Sequence, residues 1–104
     1  MLNPGTVVLA KIRFLETNES KNRPVLLLWN NNDNWVTAGI TSNTSRDGIK
    51  LTKKDGVPKE SVIRLDYIST ILKNNIIKEF FELSKEKKKE VYQEFKKLMG
   101  AFEQ

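Results

Sequence analysis

The stretch KNRPVLLLW, residues 21–29, sets an arginine against a proline and then continues with five apolar residues. A continuous apolar run of this length, bounded by polar segments, is typical of a strand that is buried on both faces. Proline restricts the residue before it to extended backbone angles, so Arg23 is expected to begin this strand. The sequence therefore predicts a cation that is held in a fixed position at the end of a buried strand.

Further short strands are predicted on both sides of this run. The polar stretch LETNESKN (15–22) is predicted to be a loop, and NNNDN (30–34) a tight turn, because Asn and Asp tolerate the backbone angles of a reversal. The predicted strands are, in chain order, GTVVLAKIRF (5–14), RPVLLLW (23–29), WVTAGITS (35–42), IKLT (49–52), and SVIRL with DYISTI (61–71), the last two forming one bent strand or two short ones. About five short strands separated by turns indicate a small antiparallel barrel rather than a parallel sheet.

The carboxy-terminal segment has the period of a helix. Ser84 is the predicted N-cap and Gly100 the predicted end. The apolar residues between and just beyond them fall at helical spacing: Val91, Phe95, Leu98, Met99 and Phe102. We expect this stripe to pack on the barrel or against a second copy of the chain. The prediction is one domain over 1–104, with a barrel over about 4–83 and a helix over about 84–99.

Composition excludes several kinds of chemistry. The 104 residues contain no cysteine and no histidine, so a disulfide framework, a thiol nucleophile, a Ser-His-Asp triad and a His/Cys zinc site are all ruled out. Lys and Arg number 18 and Asp and Glu 13, which gives a net charge of +5 and favours an anionic partner such as nucleic acid or an acidic protein segment. Neither a long apolar run nor a secretory signal is present, so a soluble cytoplasmic protein without a membrane partner is expected.

The order of these segments resembles the MazF/PemK family of toxins from type II toxin–antitoxin modules. The matching parts, from about residue 4 to residue 99, are PGTVVLAKIRF, a polar loop, RPVLLLW, ITSN, GVPKESVIRLDYISTI, and ELS before the last helix. The resemblance implies an SH3-like barrel of the MazF, PemK and CcdB type with a carboxy-terminal helix, working as a homodimer with a cognate antitoxin. It also implies a sequence-selective endoribonuclease that cuts single-stranded RNA without a metal or other cofactor, by attack of a ribose 2′-hydroxyl on the neighbouring phosphate.

In that family the arginine of the Arg-Pro pair and the hydroxyl of a Thr-Ser pair form the core of the active site. The matching residues are Arg23 and Thr41, with Ser42 as a close neighbour. A guanidinium suits this role because its planar donors match the oxygens of a phosphate that gains negative charge. Polar residues flanking these positions are expected to contact RNA: Glu19, Lys21, Asn22, Asn43 and Arg46.

Three features depart from the family pattern. A proline that often stands shortly before the Thr-Ser pair is absent, and small residues take its place in TAGITS. The first loop contains no glycine, although the family usually has a glycine-rich stretch before the arginine. The usual D-Q-I-R-T-I is replaced by DYISTI, so a common glutamine and a common arginine are lost.

Several alternatives remain open at this level. Glu16 or Glu19 in the loop before Arg23 could in principle act as general base, but no motif supports either choice. A catalytically silent barrel that binds nucleic acid or a protein is the alternative function. A metal-dependent nuclease built on acidic turn residues is disfavoured because their spacing is unlike that of ligands; these residues are Asp47, Asp55, Glu60 and Asp66. Trp29 and Trp35 are predicted to form a cross-strand core pair rather than to stack on bases.

Overall fold

A six-stranded antiparallel sheet followed by one helix forms the body of the molecule. The structure, a computed structural model, describes residues 2–14 and 17–104. Its elements are β1 Thr6–Phe14, β2 Glu19–Asn31, β3 Asn34–Thr41, β4 Ile49–Leu51, β5 Ser61–Leu72, β6 Ile76–Glu82 and α1 Lys85–Met99, with short 3-10 turns at Lys53–Asp55, Lys73–Asn75 and Gly100–Glu103. The sheet runs in the order β4-β5-β3-β2-β1-β6 and curls into a half-barrel. The predicted fold class, a mainly β antiparallel barrel with a carboxy-terminal helix, is confirmed.

The structure differs from the sequence prediction at the start of β2 and at β6. Glu19–Asn22 was predicted to lie in a loop, yet these residues begin β2 and pair with β1 up to Phe14. All four are exposed, so their polar side chains cost nothing on a two-stranded extension whose backbone bonds are satisfied. The sixth strand, β6, was not predicted because it is an edge strand with mostly exposed side chains, and two irregularities interrupt its pairing with β1.

The sheet has an apolar cluster on each face because consecutive strand residues point to opposite sides. The helix face carries the cluster that includes Val7, Leu26, Ala38, Ile63, Leu83 and Val91. The opposite face, called the cleft face below, carries Val8, Ala10, Ile12, Val25, Leu27, Trp35 and Ile71. The continuous apolar run of β2 supplies both clusters, as expected for a strand buried on both sides.

The two tryptophans do not form the predicted core pair. A bulge between Leu27 and Trp29 shifts the hairpin register, so Trp29 pairs with Val36 and Trp35 with Asn30. Trp35 is buried on the cleft face at 2% exposure, whereas Trp29 is 45% exposed and lies beside Phe95 of α1, with 6.4 Å between ring centroids.

Helix α1 begins and ends where the sequence predicts. The hydroxyl of Ser84 accepts a hydrogen bond from the Lys87 backbone N–H at 3.1 Å, which satisfies one of the first free donors of the helix. Val91 and Phe95 pack on the helix face of the sheet, and the Lys87 ammonium donates to the carbonyl of Lys50 at 3.2 Å. The rest of the apolar stripe, Leu98, Met99 and Phe102, stays exposed.

A bulge in β5 sets the register on which the cleft face depends. Ala38 of β3 pairs with Ile68, but the next residue, Gly39, pairs with Arg64. Three residues of β5, numbers 65–67, are therefore extra in this pairing. SVIRL and DYISTI thus form one bent strand, the first of the two arrangements expected from the sequence.

Replacing Gly48 with alanine is expected to lower the free energy of unfolding by about 1–3 kcal/mol. Gly48 precedes β4 with φ +152°, and a Cβ built there would lie 2.2 Å from the backbone oxygen of Ile63. That oxygen belongs to the paired strand β5 and cannot move without disturbing the sheet.

Gly100→Ala is the matched control, since Gly100 has helical angles and no neighbouring atom within 4 Å of the added Cβ. Its stability should be unchanged or slightly raised. Urea unfolding of both variants measures the difference, and equal midpoints would contradict the steric account.

Candidate active site

Three neighbouring strands build the floor of a cleft on the cleft face. Val25 of β2 pairs with Gly39 of β3, and Gly39 pairs in turn with Arg64 of β5. Directly paired residues lie on the same side of an antiparallel sheet, so Arg64 is directed to the same face as the buried Val25. Gly39 has no side chain, and the row therefore has a gap at its centre.

Tyr67 of the β5 bulge covers this gap. A Cβ built on Gly39 would lie 3.0 Å from Cδ1 of Tyr67, which is closer than most real Cβ contacts. The glycine thus allows the aromatic ring to approach the backbone of β3. Tyr67 remains 40% exposed, so one part of the ring faces solvent.

The predicted catalytic residues lie next to this row. Arg23 and Thr41 are each two residues beyond the Val25–Gly39 pair, toward the same end of the sheet. Both line a cleft of about 380 Å³, together with Ile12, Pro24, Val25, Gly39, Ile40, Ser42, Ser61, Arg64, Tyr67 and Ser69. The structure therefore brings Arg23 together with Thr41 and Ser42, the other two residues that the family resemblance selected, which lie 18 and 19 positions further along the chain.

The Thr41 hydroxyl accepts one hydrogen bond from its own turn and still has its O–H to donate. Its oxygen accepts a hydrogen bond from the backbone N–H of Asn43 at 3.1 Å. That bond uses one lone pair and leaves the O–H free to point to a ligand in the cleft, because a hydroxyl both donates and accepts. The turn-forming role expected of a threonine at a strand end and a role in the cleft are thus compatible.

Arg64 is held from two sides. Its Nε donates to Oδ1 of Asp66 at 3.2 Å and its Nη2 to Oδ2 at 2.9 Å, a two-bond fork within one strand. Its guanidinium carbon lies 5.5 Å from the centre of the Tyr67 ring, within the range of a cation–π contact. The guanidinium is therefore oriented before any ligand arrives.

The charge state of Asp66 follows from this fork. The hydrogen bond from Arg64 lowers the pKa of the Asp66 carboxyl, and the positive charges of Arg64 and Arg46 act in the same direction. Asp66 therefore stays ionised below the ordinary range of an aspartic acid. A carboxylate with a lowered pKa is a weak base at neutral pH.

The other polar residues predicted to contact RNA lie around the cleft rather than in its lining. Lys21 and Asn22 are exposed on β2 before Arg23, and Arg46 is exposed in the turn after β3. The side-chain oxygen of Asn43 accepts bonds from the backbone and hydroxyl of Ser45, so it shapes that turn. These roles in RNA contact remain predictions.

Of the two carboxylates considered as general base, only Glu19 is among the described residues. Glu19 is exposed at the start of β2, paired with Phe14, and does not belong to the cleft lining. Glu16 lies outside the described residues. The assignment of a base therefore remains open between the alternatives given by the sequence.

Four residues that line the cleft were not predicted from the sequence: Ser61, Arg64, Tyr67 and Ser69. All four are in β5, whose register against β3 depends on the bulge. The signal available in the sequence was the break in apolar alternation after SVIRL, which indicated a bend but not which residues it would direct to the cleft.

One further cleft adjoins this site, and another lies on the helix face of the sheet. A polar one of about 530 Å³ shares Ile12 and Ser69 with it and is lined further by Lys11, Arg13, Ser20, Ile68, Thr70, Ile71, Leu72 and Asn75. An apolar one of about 340 Å³ lies between α1 and β2, where it contacts Leu28, Trp29, Val91 and Phe95. Of these three clefts, the one of 380 Å³ holds the predicted catalytic residues.

Acidic residues do not gather into a metal site in the part of the chain that is described, and none of the turn carboxylates considered above belongs to such a cluster. Over the same residues, no helix has the length and apolar character needed to cross a membrane.

Comparison with known protein structures finds the same fold in other proteins. Two solved structures share the fold over most of both chains. One is an endoribonuclease in complex with its cognate antitoxin from a mycobacterial species, with a TM-score of 0.73 and 15% identity over 95% of this chain and 93% of the other. The second is the Mycobacterium tuberculosis toxin MazF-mt6, with a TM-score of 0.72 and 19% identity over 88% of this chain and 93% of the other.

Sequence comparison finds a matching family model but no matching individual protein. No curated protein sequence matches the chain significantly. The model of PemK-like, MazF-like toxins of type II toxin–antitoxin systems matches residues 3–99, which is nearly the whole chain. The chain therefore belongs to the PemK-like, MazF-like toxin family.

Proposed function

We propose that this protein is the toxin of a type II toxin–antitoxin module and a metal-independent endoribonuclease that cuts single-stranded RNA at short sequences in the cytoplasm. The observation that carries the proposal is the cleft in which Arg23, Thr41 and Ser42 meet on a rigid sheet. Family membership and the endoribonuclease described among the structural relatives support the reaction class.

The proposed reaction is an in-line transesterification. The ribose 2′-oxygen forms a bond to the neighbouring phosphorus while the bond from phosphorus to the 5′-oxygen breaks. The 2′-hydroxyl proton passes to a base, and the departing 5′-oxygen takes up a proton. The products are a 2′,3′-cyclic phosphate and a 5′-hydroxyl.

Arg23 would supply the main electrostatic stabilisation. Negative charge grows on the non-bridging oxygens as the five-coordinate phosphorus forms, and a fixed guanidinium presents charged donors to these oxygens. Pro24 and the buried run behind it hold the Arg23 backbone on a rigid strand, so little reorganisation is needed. The Thr41 hydroxyl would donate to the same phosphate.

RNA would extend from this cleft into its polar neighbour. The adjoining cleft of about 530 Å³ is lined by Lys11 and Arg13, two cations able to pair with further phosphates. Ile12 and Ser69 belong to both clefts, so a strand could pass between them without leaving the surface.

An antitoxin would inhibit the enzyme by covering this surface. The net charge of +5 and the cations around the cleft favour an acidic or extended protein segment that competes with RNA. One structural relative is described in complex with its cognate antitoxin, which supports this kind of partner.

Substitution of Arg23 by alanine is expected to lower RNA cleavage by about 100-fold or more, because the charged donor to the transition state is lost. The wild type and the variant are incubated with a long unstructured RNA in EDTA, and the fragment ends are mapped. The wild type should cut at one recurring short sequence and leave 5′-hydroxyl ends.

Lys97→Ala is the control, because Lys97 is an exposed cation on α1 outside the cleft lining. It should cut like the wild type. Undiminished cutting by Arg23→Ala would mean that the active site lies elsewhere, and intact RNA with the wild type would favour a silent binding module.

Substitution of Thr41 by valine keeps the shape of the side chain and removes its hydroxyl. We expect kcat to fall by about tenfold, the effect of one lost hydrogen bond to the reacting group. Thr41→Ser keeps the hydroxyl and should retain most of the activity. Thermal unfolding is recorded beside the kinetics, and a valine variant that loses stability but cuts at the wild-type rate would leave Thr41 with a structural role only.

A homodimer is the proposed assembly. Leu98, Met99 and Phe102 continue the apolar stripe of α1 beyond its contact with the sheet, and Phe102 is 86% exposed. Apolar side chains grouped on one surface are typical of an interface, and a second copy would remove them from water.

Leu98→Glu is expected to shift the protein from dimer to monomer in sedimentation equilibrium, because a carboxylate would be buried at the interface. Lys97→Glu, a neighbouring charge change at an exposed position, is the control and should remain dimeric. A wild-type protein that sediments as a monomer at high concentration would overturn the assembly.

A further inference from the structure

We propose that Arg64 is a second RNA-binding cation of the cleft, which holds a phosphate next to the one that Arg23 acts on. This inference rests on the proposed function and adds the substrate contact that the other side of the cleft would make. Arg64 is not among the residues that the family resemblance selected; its position in the sheet brings it to the cleft.

The register places the two arginines on opposite sides of the gap at Gly39. Arg64 lies on β5 and Arg23 on β2, with β3 between them. Two strand spacings separate their backbones by about 10 Å across the sheet. Both side chains line the same cleft, together with the ring of Tyr67, which lies over Gly39. A polyanionic strand entering the cleft would therefore have a cation on each side.

The guanidinium of Arg64 retains donors for a ligand. Within the described residues, its bonds to Asp66 use Nε and one N–H of Nη2, which is two of the five N–H donors of an arginine. The remaining three are on the outer nitrogens. The side chain of Arg64 is 25% exposed, so these donors can be reached from the cleft.

The fork with Asp66 and the ring of Tyr67 limit how far the cation can move. A side chain already fixed by two hydrogen bonds and an aromatic contact loses little conformational entropy on binding. The same restraint keeps Arg64 from swinging across to the phosphate held by Arg23. It is accordingly assigned to a neighbouring, non-reacting phosphate.

Ser69 is a second position of β5 that lines this cleft, and it pairs with Thr37. Arg64 pairs with Gly39, two residues further along β3, so the two positions are about 7 Å apart along the strand direction. An arginine placed at position 69 would therefore carry its charge into the same part of the cleft.

A purely structural ion pair is the alternative reading of Arg64 and Asp66, and exposed pairs of this kind contribute little to stability. Two variants distinguish a structural ion pair from an RNA-binding cation. Arg64→Ala removes the cation, and Asp66→Asn removes the ion pair while it keeps the cation. If only the pair matters, both variants have the same consequence; if the cation binds RNA, their effects differ.

The test measures RNA binding and RNA cleavage separately. Binding is followed by fluorescence anisotropy with a single-stranded 2′-O-methyl oligonucleotide, which lacks the attacking hydroxyl, at several salt concentrations. We expect Arg64→Ala to raise Kd by about tenfold and to reduce the slope of log Kd against log salt by about 0.7, the value for one phosphate contact on a single strand. Asp66→Asn should raise Kd much less than Arg64→Ala does, because the amide oxygen can still accept a bond from Arg64 and a negative charge is removed.

Cleavage kinetics give the second measurement. With cleavable RNA, Arg64→Ala should raise KM more than it lowers kcat, because its phosphate does not react. Adding Ser69→Arg to Arg64→Ala should restore much of the lost affinity, since position 69 lines the same cleft.

The outcomes distinguish this inference from the proposed function. A wild type that cuts RNA, with an Arg64→Ala variant of unchanged Kd and salt slope, overturns the role of Arg64 alone. A wild type that binds the oligonucleotide through Arg64 but never cuts RNA supports the binding role and overturns the enzyme. Equal losses of affinity in Arg64→Ala and Asp66→Asn would reduce the pair to a structural role, and a wild type that neither binds nor cuts overturns both proposals.

Discussion

The pairing of β3 with β2 on one side and β5 on the other is the constraint on which the site depends. Gly39 stands in the middle of that pairing, opposite Val25 and Arg64. A Cβ at this position would lie 3.0 Å from Cδ1 of Tyr67, so the ring would have to shift. The register around Gly39 brings Arg23, Thr41 and Arg64 to one cleft.

Electrostatics gives this space its chemical character. Arg23 of β2 and Arg64 of β5 both line the cleft. Asp66, the carboxylate nearest to Arg64 in the sequence, accepts hydrogen bonds from the Arg64 guanidinium. Two arginines in one cleft suit the site to stabilising an anion. A reaction in which RNA supplies its own nucleophile fits such a site.

The sequence predicted one wall of the site and missed the other. Arg23 could be found because its proline and the apolar run behind it act within a few residues, and helix α1 could be found from its cap and stripe. Arg64 could not, since its direction depends on a three-residue bulge that is defined only when β5 is set against β3. The same limit applies to β6 and to the tryptophans, where pairing with a distant strand decided the outcome.

Attack of a ribose 2′-hydroxyl is the step on which the proposed activity depends. We would test it with a short RNA that carries the mapped cleavage sequence and a single 2′-deoxy nucleotide on the 5′ side of the scissile phosphate. We expect this RNA to bind with the Kd of its all-ribose counterpart and to stay intact in EDTA, while the counterpart is cut. Cutting of the deoxy substrate at the same phosphate would rule out attack by the 2′-hydroxyl.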